Sequence, residues 1–327
     1  MAIKNSPPSD DASSLQTTLA RLMQIKAKAR GFSFLPRQPV HSLLAGRHAS
    51  RLRGRGLAFE ELRQYAQGDD VRTIDWKATA RLRSPHVRVY NEERERPVLI
   101  IVDQRQSMFF GSRRAMKSVV AAELAALTAW RTLLAGDRIG GIVFNNHELV
   151  ELRPHRSQNQ VLRFLHEVVR MNQILVEDTK PDTKPDVVAD SKVTLNQAVE
   201  AALRRATHDH LVVLISDLDG ADEETRRLAT LIAAHNDMLV AGIYDPLGAS
   251  LQGHTGMIAH DRGANYNIPE GKQFADSFQK EFVAVLDHWQ SVFRALQAPV
   301  IPISTATPPV DQLRTFFGSL TASTSGA

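Results

Sequence analysis

The sequence predicts an α/β fold of the Rossmann type, in which a mostly parallel sheet carries helices on both faces. From residue 97 onward, short β-branched runs alternate with helical stretches of ten or more residues, an order that is typical of parallel sheets. The strand runs are continuously apolar, as in strands that are buried on both faces. The 327 residues are 43% apolar and 23% charged, a composition typical of globular domains.

The local patterns of the chain support each predicted element. Residues 98–102 are five apolar residues between Pro97 and Asp103, which indicates a buried strand. An Ala- and Leu-rich stretch over 113–134 indicates a helix that ends before Gly136. The other predicted strands are 138–144, 148–152, 211–215, 238–244 and 300–303, and the other predicted helices are 157–169, 194–206, 222–235 and 271–295.

The amino-terminal part of the chain is rich in basic residues. Residues 1–98 contain 18 Lys and Arg against 10 Asp and Glu, whereas the whole chain has a net charge of +4. We expect a disordered polar tail over 1–14, a basic extension over 15–92 that begins with an amphipathic helix over 15–30, an α/β domain over 93–320 and a disordered tail over 321–327. The excess charge indicates either an anionic partner (nucleic acid, a membrane surface or an acidic protein) or a solvated face.

Several classes of function are excluded by what the sequence lacks. There is no Cys, which excludes disulfide scaffolds, thiolate metal sites and thiol nucleophiles. No phosphate-binding Gly-rich loop, dinucleotide fingerprint or Gly-x-Ser-x-Gly motif occurs. The apolar runs are too short for a membrane helix and the first residues contain no secretion signal, so we expect a cytoplasmic protein without a membrane span.

Acidic residues that follow two predicted strands mark the candidate site. Asp103 directly follows one strand, and Asp217 lies within two residues of the end of another. In open parallel sheets, ligands bind at the carboxyl ends of the strands. We therefore expect the functional residues at the edge that contains Asp103 and Asp217.

Four residues at this edge resemble the cation site of von Willebrand factor A (vWA) folds. In that site an Asp-x-Ser-x-Ser pattern, a Thr from a later loop and an Asp after a central strand hold a divalent cation through oxygen ligands. Asp103, Ser107, Thr194 and Asp217 match the pattern in type and order. Arg105 departs from it, because a guanidinium stands where the pattern has its first Ser and cannot ligate a cation.

Three interpretations of these residues remain open. In the first, they bind a cation, for which Mg²⁺ is the candidate, and no other cofactor is expected. In the second, Arg105 replaces the metal by forming an internal ion pair with the carboxylates. In the third, the residues have structural roles only, such as helix capping by Ser107 and Thr194.

The segment before the first predicted strand carries a longer motif. It reads Gly54-x-Gly56-x-x-Phe59-x-x-Leu62-Arg63-x-Tyr65-x-x-Gly68-Asp69-Asp70-x-Arg72-x-Ile74-Asp75-Trp76-x-x-x-Ala80-Arg81. This motif is similar to the signature of a bacterial family catalogued as domain of unknown function 58 (DUF58), and the resemblance extends over about residues 45–245. Members are described as vWA-like proteins that are commonly encoded beside MoxR-type AAA ATPases, so the resemblance implies a vWA-like fold and such an ATPase as partner.

The residue types of this motif also have a meaning without the family. The charged members have both signs, a mixture more typical of a structural subdomain held by ion pairs than of a catalytic site. A partner surface is the alternative, because Trp, Tyr and Arg are frequent interface anchors. The residues in question are Arg63, Tyr65, Asp69, Asp70, Arg72, Asp75, Trp76 and Arg81.

The expected function is that of a non-enzymatic interaction protein with no catalytic residue. The resemblance implies an adaptor that cooperates with a MoxR-type AAA ATPase in remodelling or maturing a complex with an unidentified client protein. The predicted docking edge is the one formed by Asp103, Ser107, Thr194 and Asp217.

Two alternatives come from other functional classes. One is a metal-dependent phosphate hydrolase with Asp103, Asp217 and Asp219 as metal ligands. The other is a nucleic-acid binder, which is less expected because the basic cluster lacks the interleaved aromatic residues that stack on single strands. That cluster consists of Arg47, Arg51, Arg53 and Arg55.

Overall fold

A computed structural model describes residues 14–30, 57–92, 96–179, 193–249, 258–261, 264–267, 280 and 298–322. The chain divides into two compact units. The main unit comprises Met1–Phe34 and Arg96–Ala327, and the small unit comprises Leu35–Glu95. The residues predicted as one extension over 15–92 therefore fall into both units, and the basic cluster of Arg47, Arg51, Arg53 and Arg55 lies outside the described residues.

A six-stranded sheet forms the centre of the main unit. Its strands are β3 (Pro97–Asp103), β4 (Arg138–Phe144), β5 (Leu149–His155), β6 (Leu211–Ser216), β7 (Asp237–Tyr244) and β10 (Val300–Ser304). The spatial order is β10-β7-β6-β3-β4-β5, and all neighbours are parallel except β4 and β5. Two further short strands, β8 (Ile258–Asp261) and β9 (Ala264–Asn267), pair with each other.

The strand order places a topological switch point between β3 and β6. From β3 the chain proceeds outward through β4 and β5, and then returns to β6 on the other side of β3. This is the Rossmann order, in which the crevice at the switch point lies at the carboxyl ends of the two central strands. The central pairing runs from Val98 opposite Leu211 to Val102 opposite Ile215, so both strands end at the same edge.

Helices cover both faces of this sheet, as the sequence predicts. The helices of the main unit are α1 (Leu19–Gln24), α3 (Lys117–Ala135), α4 (Gln158–Asp178), α5 (Leu195–Arg205), α6 (Glu223–Ala233), α7 (Pro246–Ala249) and α8 (Pro309–Ala322). Ile142 of β4 belongs to the core beneath α5 and α6. The adjacent Gly141 lies against Phe164 of α4, and because neighbouring strand residues point to opposite faces, α4 covers the other face. The Rossmann-type α/β prediction is confirmed.

Several elements differ from the predicted ones. The predicted helix over 15–30 is α1 followed by a 3-10 turn at Ile25–Ala27, and α4 continues to Asp178 rather than ending at residue 169. The longer α4 arises because apolar residues recur at helical spacing up to Leu175, which is buried. The strands β8 and β9 and the helix α8 were not among the predicted elements, and the predicted helix over 271–295 lies outside the described residues apart from residue 280.

The helix α3 is the most buried of the helices that the structure describes. It ends at Gly136, whose φ of +88° is the left-handed conformation that glycine adopts at helix ends. Within the described ranges, α3 is long and apolar enough to cross a membrane, but 78% of its most apolar window is buried inside the protein. Core helices of globular proteins have the same composition.

The small unit contains a β-hairpin and a short helix. The hairpin pairs β1 (Leu57–Gln64) with β2 (His86–Glu92) in antiparallel register, and α2 (Trp76–Leu82) lies in the connection. The side chain of Asp75 caps α2 by accepting hydrogen bonds from the N–H groups of Lys77 and Ala78. Of residues 62–87, whose side chains are described, Val87 alone is buried, so this part of the unit contributes little core.

Candidate functional site at the carboxyl edge of the sheet

The switch point brings Asp103 and Asp217 to the same edge. Asp103 is the last residue of β3, and Asp217 directly follows Ser216, the last residue of β6. Asp103 is completely buried, and 7% of the Asp217 side chain is exposed. The carboxylates of Asp103 and Asp217 therefore lie at the edge predicted from the strand ends, which is the position where Rossmann-type sheets bind ligands.

Arg105 forms a buried ion pair with Asp103. Its Nη2 lies 2.7 Å from Asp103 Oδ2, and its Nε lies 3.0 Å from Oδ1. The backbone N–H of Arg105 also donates to Oδ1 at 3.0 Å, which closes the short turn between the two residues. The guanidinium is 10% exposed and lies 5.4 Å from the centre of the Phe144 ring. This planar, two-pronged contact is one that only Arg can make with a carboxylate.

The same pair fixes the loop after β6. The Oγ of Ser216 donates to Asp103 Oδ2 at 2.7 Å and accepts from the N–H of Leu218 at 2.9 Å. Arg105 Nη2 donates to the carbonyl oxygen of Asp219 at 2.9 Å. Leu218 has a φ of +61°, a conformation that non-glycine residues seldom adopt, and these hydrogen bonds hold it there.

Burial and hydrogen bonding act in opposite directions on the charge of this pair. Complete burial raises the pKa of the Asp103 carboxyl above its ordinary value, and the hydrogen bonds from Arg105 oppose that rise. For Arg105, burial favours the neutral form, but hydrogen bonds and attraction to Asp103 raise the pKa of the guanidinium. Asp103 accepts hydrogen bonds from the backbone N–H, Nε and Nη2 of Arg105 and from Ser216 Oγ. The positive charge of the guanidinium balances the negative charge of the carboxylate inside the protein.

A second ion pair lies beside the first. Lys117 Nζ, at the beginning of α3, is 2.6 Å from Asp217 Oδ2. The other oxygen of Asp217 accepts from Ser107 Oγ at 3.3 Å and from the N–H of Asp219 at 3.0 Å. Both partners are largely buried, with 15% and 7% of the Lys117 and Asp217 side chains exposed. Ser107 is thus brought to Asp217 as the vWA-like pattern predicts.

Thr194 is the member of the predicted set that does not join these pairs. It is exposed at the start of α5, where its Oγ1 accepts from the N–H of Gln197 at 3.3 Å. In return, the N–H of Thr194 donates to Gln197 Oε1 at 3.0 Å. This reciprocal arrangement is a capping box. Among the described residues, no hydrogen bond connects Thr194 with Asp103, Ser107 or Asp217.

The donor set of this edge does not fit the divalent cation that vWA folds imply. Both oxygens of Asp103 accept from Arg105, and the oxygens of Asp217 accept from Lys117, Ser107 and Asp219. A cation would have to displace two positively charged side chains from the oxygens that should ligate it. In the described part of the chain, no group of three or more His, Asp or Glu side chains is arranged to hold a metal ion.

Comparison with known proteins identifies the family. The family model described as "Protein of unknown function DUF58" matches residues 61–285, which is more than half of the chain. The chain belongs to the DUF58 family. The resemblance predicted from the sequence motif is therefore confirmed.

Similarity to two relatives of this DUF58 protein extends over most of the chain. Uncharacterized proteins of Mycobacterium bovis and Mycobacterium tuberculosis are 26% identical over 284 residues, which cover 86% of this chain and 85% of each relative. A solved structure described as "von Willebrand factor type A from Catenulispora acidiphila" is similar over 72% of this chain with a TM-score of 0.34 and 11% identity. This chain spans 43% of the length of that protein.

The charged residues of the DUF58 motif form local structure in the small unit. Arg63 and Asp69 make a two-pronged ion pair at 2.9 and 2.8 Å, and this hydrogen bonding lowers the pKa of Asp69 below its ordinary value. Asp70 and Asp75 cap a 3-10 turn and α2 by accepting backbone hydrogen bonds. Tyr65 is half-buried, and its N–H donates to the carbonyl oxygen of Pro85 at 2.8 Å.

Three further residues of the DUF58 motif lie on the surface of the small unit. Arg72, Trp76 and Arg81 are exposed, and Trp76 is 70% exposed. The motif therefore combines residues that hold the small unit together with residues that have no structural role among the described contacts.

Two residues of the site were missed by the sequence analysis. Lys117 begins α3, where a cation is unfavourable for the helix dipole, so its position was a signal of a nearby carboxylate. Gln104 is completely buried between Asp103 and Arg105. Its Nε2 donates to the carbonyl oxygen of Ser118 at 3.0 Å, and its Oε1 accepts from Asn172 Nδ2 at 3.0 Å. No sequence pattern indicates such a partner.

Proposed function

We propose that this DUF58 protein is a non-enzymatic adaptor that presents the carboxyl edge of its main sheet to a protein partner. The observation that carries the proposal is the Arg105–Asp103 pair. Because the guanidinium supplies the positive charge that a cation supplies in other vWA-like folds, the edge is preorganised without a metal. A rigid, charge-compensated edge is suited to binding a surface.

Exposed side chains in the loop before α3 supply contact area for a partner. Phe110 is 46% exposed, and its carbonyl oxygen accepts from the N–H of Lys117 at 2.8 Å, so it lies next to the Lys117–Asp217 pair. Arg113 is exposed in the same loop. Aromatic and Arg side chains dominate the binding energy of protein interfaces. This loop therefore supports docking of a protein in preference to turnover of a small molecule.

The family resemblance directs the choice of partner. We propose a MoxR-type AAA ATPase in the cytoplasm, with which this chain recruits or remodels a client protein. The sequence has no phosphate-binding Gly-rich loop of its own, in keeping with ATP hydrolysis by the partner.

Binding between purified proteins tests this proposal. A MoxR-type ATPase from the same organism is titrated with the full chain in the presence of ATP and Mg²⁺. We expect Phe110→Ala and Arg113→Glu each to weaken binding by about tenfold, as for interface anchors. Leu231→Ala, which alters a similarly exposed apolar residue on α6, is the matched control and should leave the affinity unchanged. Failure of the wild type to bind the ATPase, or equal weakening by all three variants, would overturn the proposal.

The hydrolase alternative receives less support from the geometry. It requires Asp103, Asp217 and Asp219 to be available as metal ligands, whereas the first two are bonded to Arg105 and Lys117. Magnesium-dependent hydrolysis of a generic phosphate ester that is lost in Asp217→Ala would restore it.

A further inference from the structure

The small unit exposes large apolar side chains that a stable unit normally buries. Leu62, Val71, Trp76 and Leu82 are 39%, 59%, 70% and 52% exposed. Leu62 lies in β1, Val71 lies in the turn before α2, and Trp76 and Leu82 are the first and last residues of α2. Val87 is the single buried residue among residues 62–87. Exposed clusters of this kind mark interaction sites. We refer to these four residues, together with the exposed basic residues Arg72, Lys77, Arg81 and Arg83, as the α2 face.

The α2 face is also strongly basic. Arg72, Lys77, Arg81 and Arg83 are exposed. Among the described residues, no salt bridge connects these four side chains with an acidic group. Two described acids near these cations in the chain are already engaged, since Asp69 pairs with Arg63 and Asp70 caps a turn. The cations are therefore available to an outside partner.

We infer that the α2 face of the small unit is a docking site for an acidic segment of another protein. Trp76 would enter an apolar pocket of the partner, and the basic side chains around it would pair with Asp and Glu. Trp and Arg together are the side chains that contribute most to protein interfaces. Complementary charge at the rim also raises the rate of association.

Other occupants fit the α2 face less well. A membrane-binding helix presents a large apolar face, whereas α2 is seven residues long and exposes two large apolar side chains, Trp76 and Leu82. Nucleic acid offers no apolar counterpart for the aliphatic residues Leu62, Val71 and Leu82. A second copy of this chain would place like charges opposite each other in a symmetric dimer. Residues 31–56 contain five Arg and no acid, so their charge opposes binding to this face.

Photo-crosslinking in cells tests the inference on the full chain. A benzophenone amino acid replaces Trp76, and the same amino acid at Leu231 on α6 serves as the exposed control. We expect position 76 to form adducts with a protein segment that carries several Asp or Glu residues. Lys77→Glu with Arg81→Glu should reduce these adducts by at least about tenfold, whereas Arg163→Glu, an exposed Arg on α4, should not.

The nature of the adducts decides between the occupants. The inference would be overturned if no adducts formed. It would also be overturned if the adducts were with this chain, with lipid, with nucleic acid or with protein segments that lack acidic residues. The Lys77→Gln and Arg81→Gln variant must also lose adducts while keeping the circular dichroism of the wild type, since loss through unfolding would count against a docking role. Phe110→Ala should leave the adducts unchanged, so failure of the proposed ATPase docking and failure of this inference give different results.

Discussion

Arg105 lies two residues after Asp103 and turns back so that its Nη2 is 2.7 Å from Asp103 Oδ2. The pair lies at the switch point of the sheet and also bonds to Ser216 and Asp219 in the loop after β6. The end of β3 and the loop after β6 are therefore held together by a charge pair inside the protein. This arrangement places an internal positive charge where the vWA pattern implies a cation, and its consequences are measurable.

Removal of the Arg105 guanidinium should lower the stability of the protein, because it leaves a buried carboxylate without a counter-charge. In Arg105→Ser, Asp103 keeps its burial but loses its counter-charge, so we expect the free energy of unfolding to fall by about 3–5 kcal/mol. Because the variant restores the Ser of the vWA pattern, Mg²⁺ should raise its melting temperature while leaving the wild type unchanged. Urea and thermal unfolding with and without MgCl₂ check both effects. Equal stabilisation of wild type and variant by Mg²⁺ would contradict the metal-free interpretation.

The Lys117–Asp217 pair should also contribute to stability. Lys117→Met retains the aliphatic stem of the side chain but leaves Asp217 Oδ2 without its charged donor. We expect a loss of about 1–2 kcal/mol, because the lost charged hydrogen bond outweighs the small gain from removing a cation at a helix N-terminus. Urea unfolding measures the change, and Lys28→Met, at an exposed position, is the control. A change of the same size in both variants would show that the pair contributes nothing specific.

A buried chain of amides should couple the site to the amino-terminal segment. Asn172 Nδ2 donates to Gln104 Oε1 at 3.0 Å, and Asn172 Oδ1 accepts from the N–H of Thr17 at 2.9 Å. Gln104→Ala and Asn172→Ala should each cost about 2 kcal/mol, since each leaves a buried polar group unpaired. The double variant should lose less than the sum of the two, which unfolding measurements on all four proteins of the cycle reveal. Strict additivity would mean that the two amides act independently.

Stability should fall in acid partly because of Asp245. Although burial acts to raise it, hydrogen bonds from Ser112, Thr305 and two backbone N–H groups hold the pKa of Asp245 below its ordinary value. A carboxyl whose folded-state pKa is lowered stabilises the protein above its unfolded-state pKa, and this stability is lost as pH falls through the folded-state value. The loss attributable to Asp245 should therefore develop below about pH 4.

Comparison of wild type with Asp245→Asn isolates this carboxyl from the others that titrate in the same range. The variant should be less stable at neutral pH, and the difference between the two proteins should shrink as the pH is lowered. Urea unfolding over a series of pH values provides the measurement. A difference that stays constant down to the most acidic condition would show that Asp245 acts through packing alone.

Much of the main unit follows from sequence patterns because those patterns are local. Five apolar residues between Pro97 and Asp103 indicate β3 without knowledge of its neighbours, and the strand-end rule then places Asp103 and Asp217 at one edge. The DUF58 motif is likewise contiguous and is identified by its spacing. The small helix α2 and strand β1 were harder to predict, because their residues lack a regular apolar period.

The sequence by itself determined the α/β class, the strand-end position of the site and the anomaly of Arg105, since each depends on residues close together in the chain. Only the tertiary structure decided which partners these residues take. Lys117 and Asp217 are 100 residues apart, and Asn172 and Thr17 are 155 apart, yet each pair is in contact. Such contacts depend on how helices pack on the sheet, and no local propensity encodes them. Whether an apolar residue such as Trp76 is buried or exposed is decided in the same way, by the surfaces that surround it.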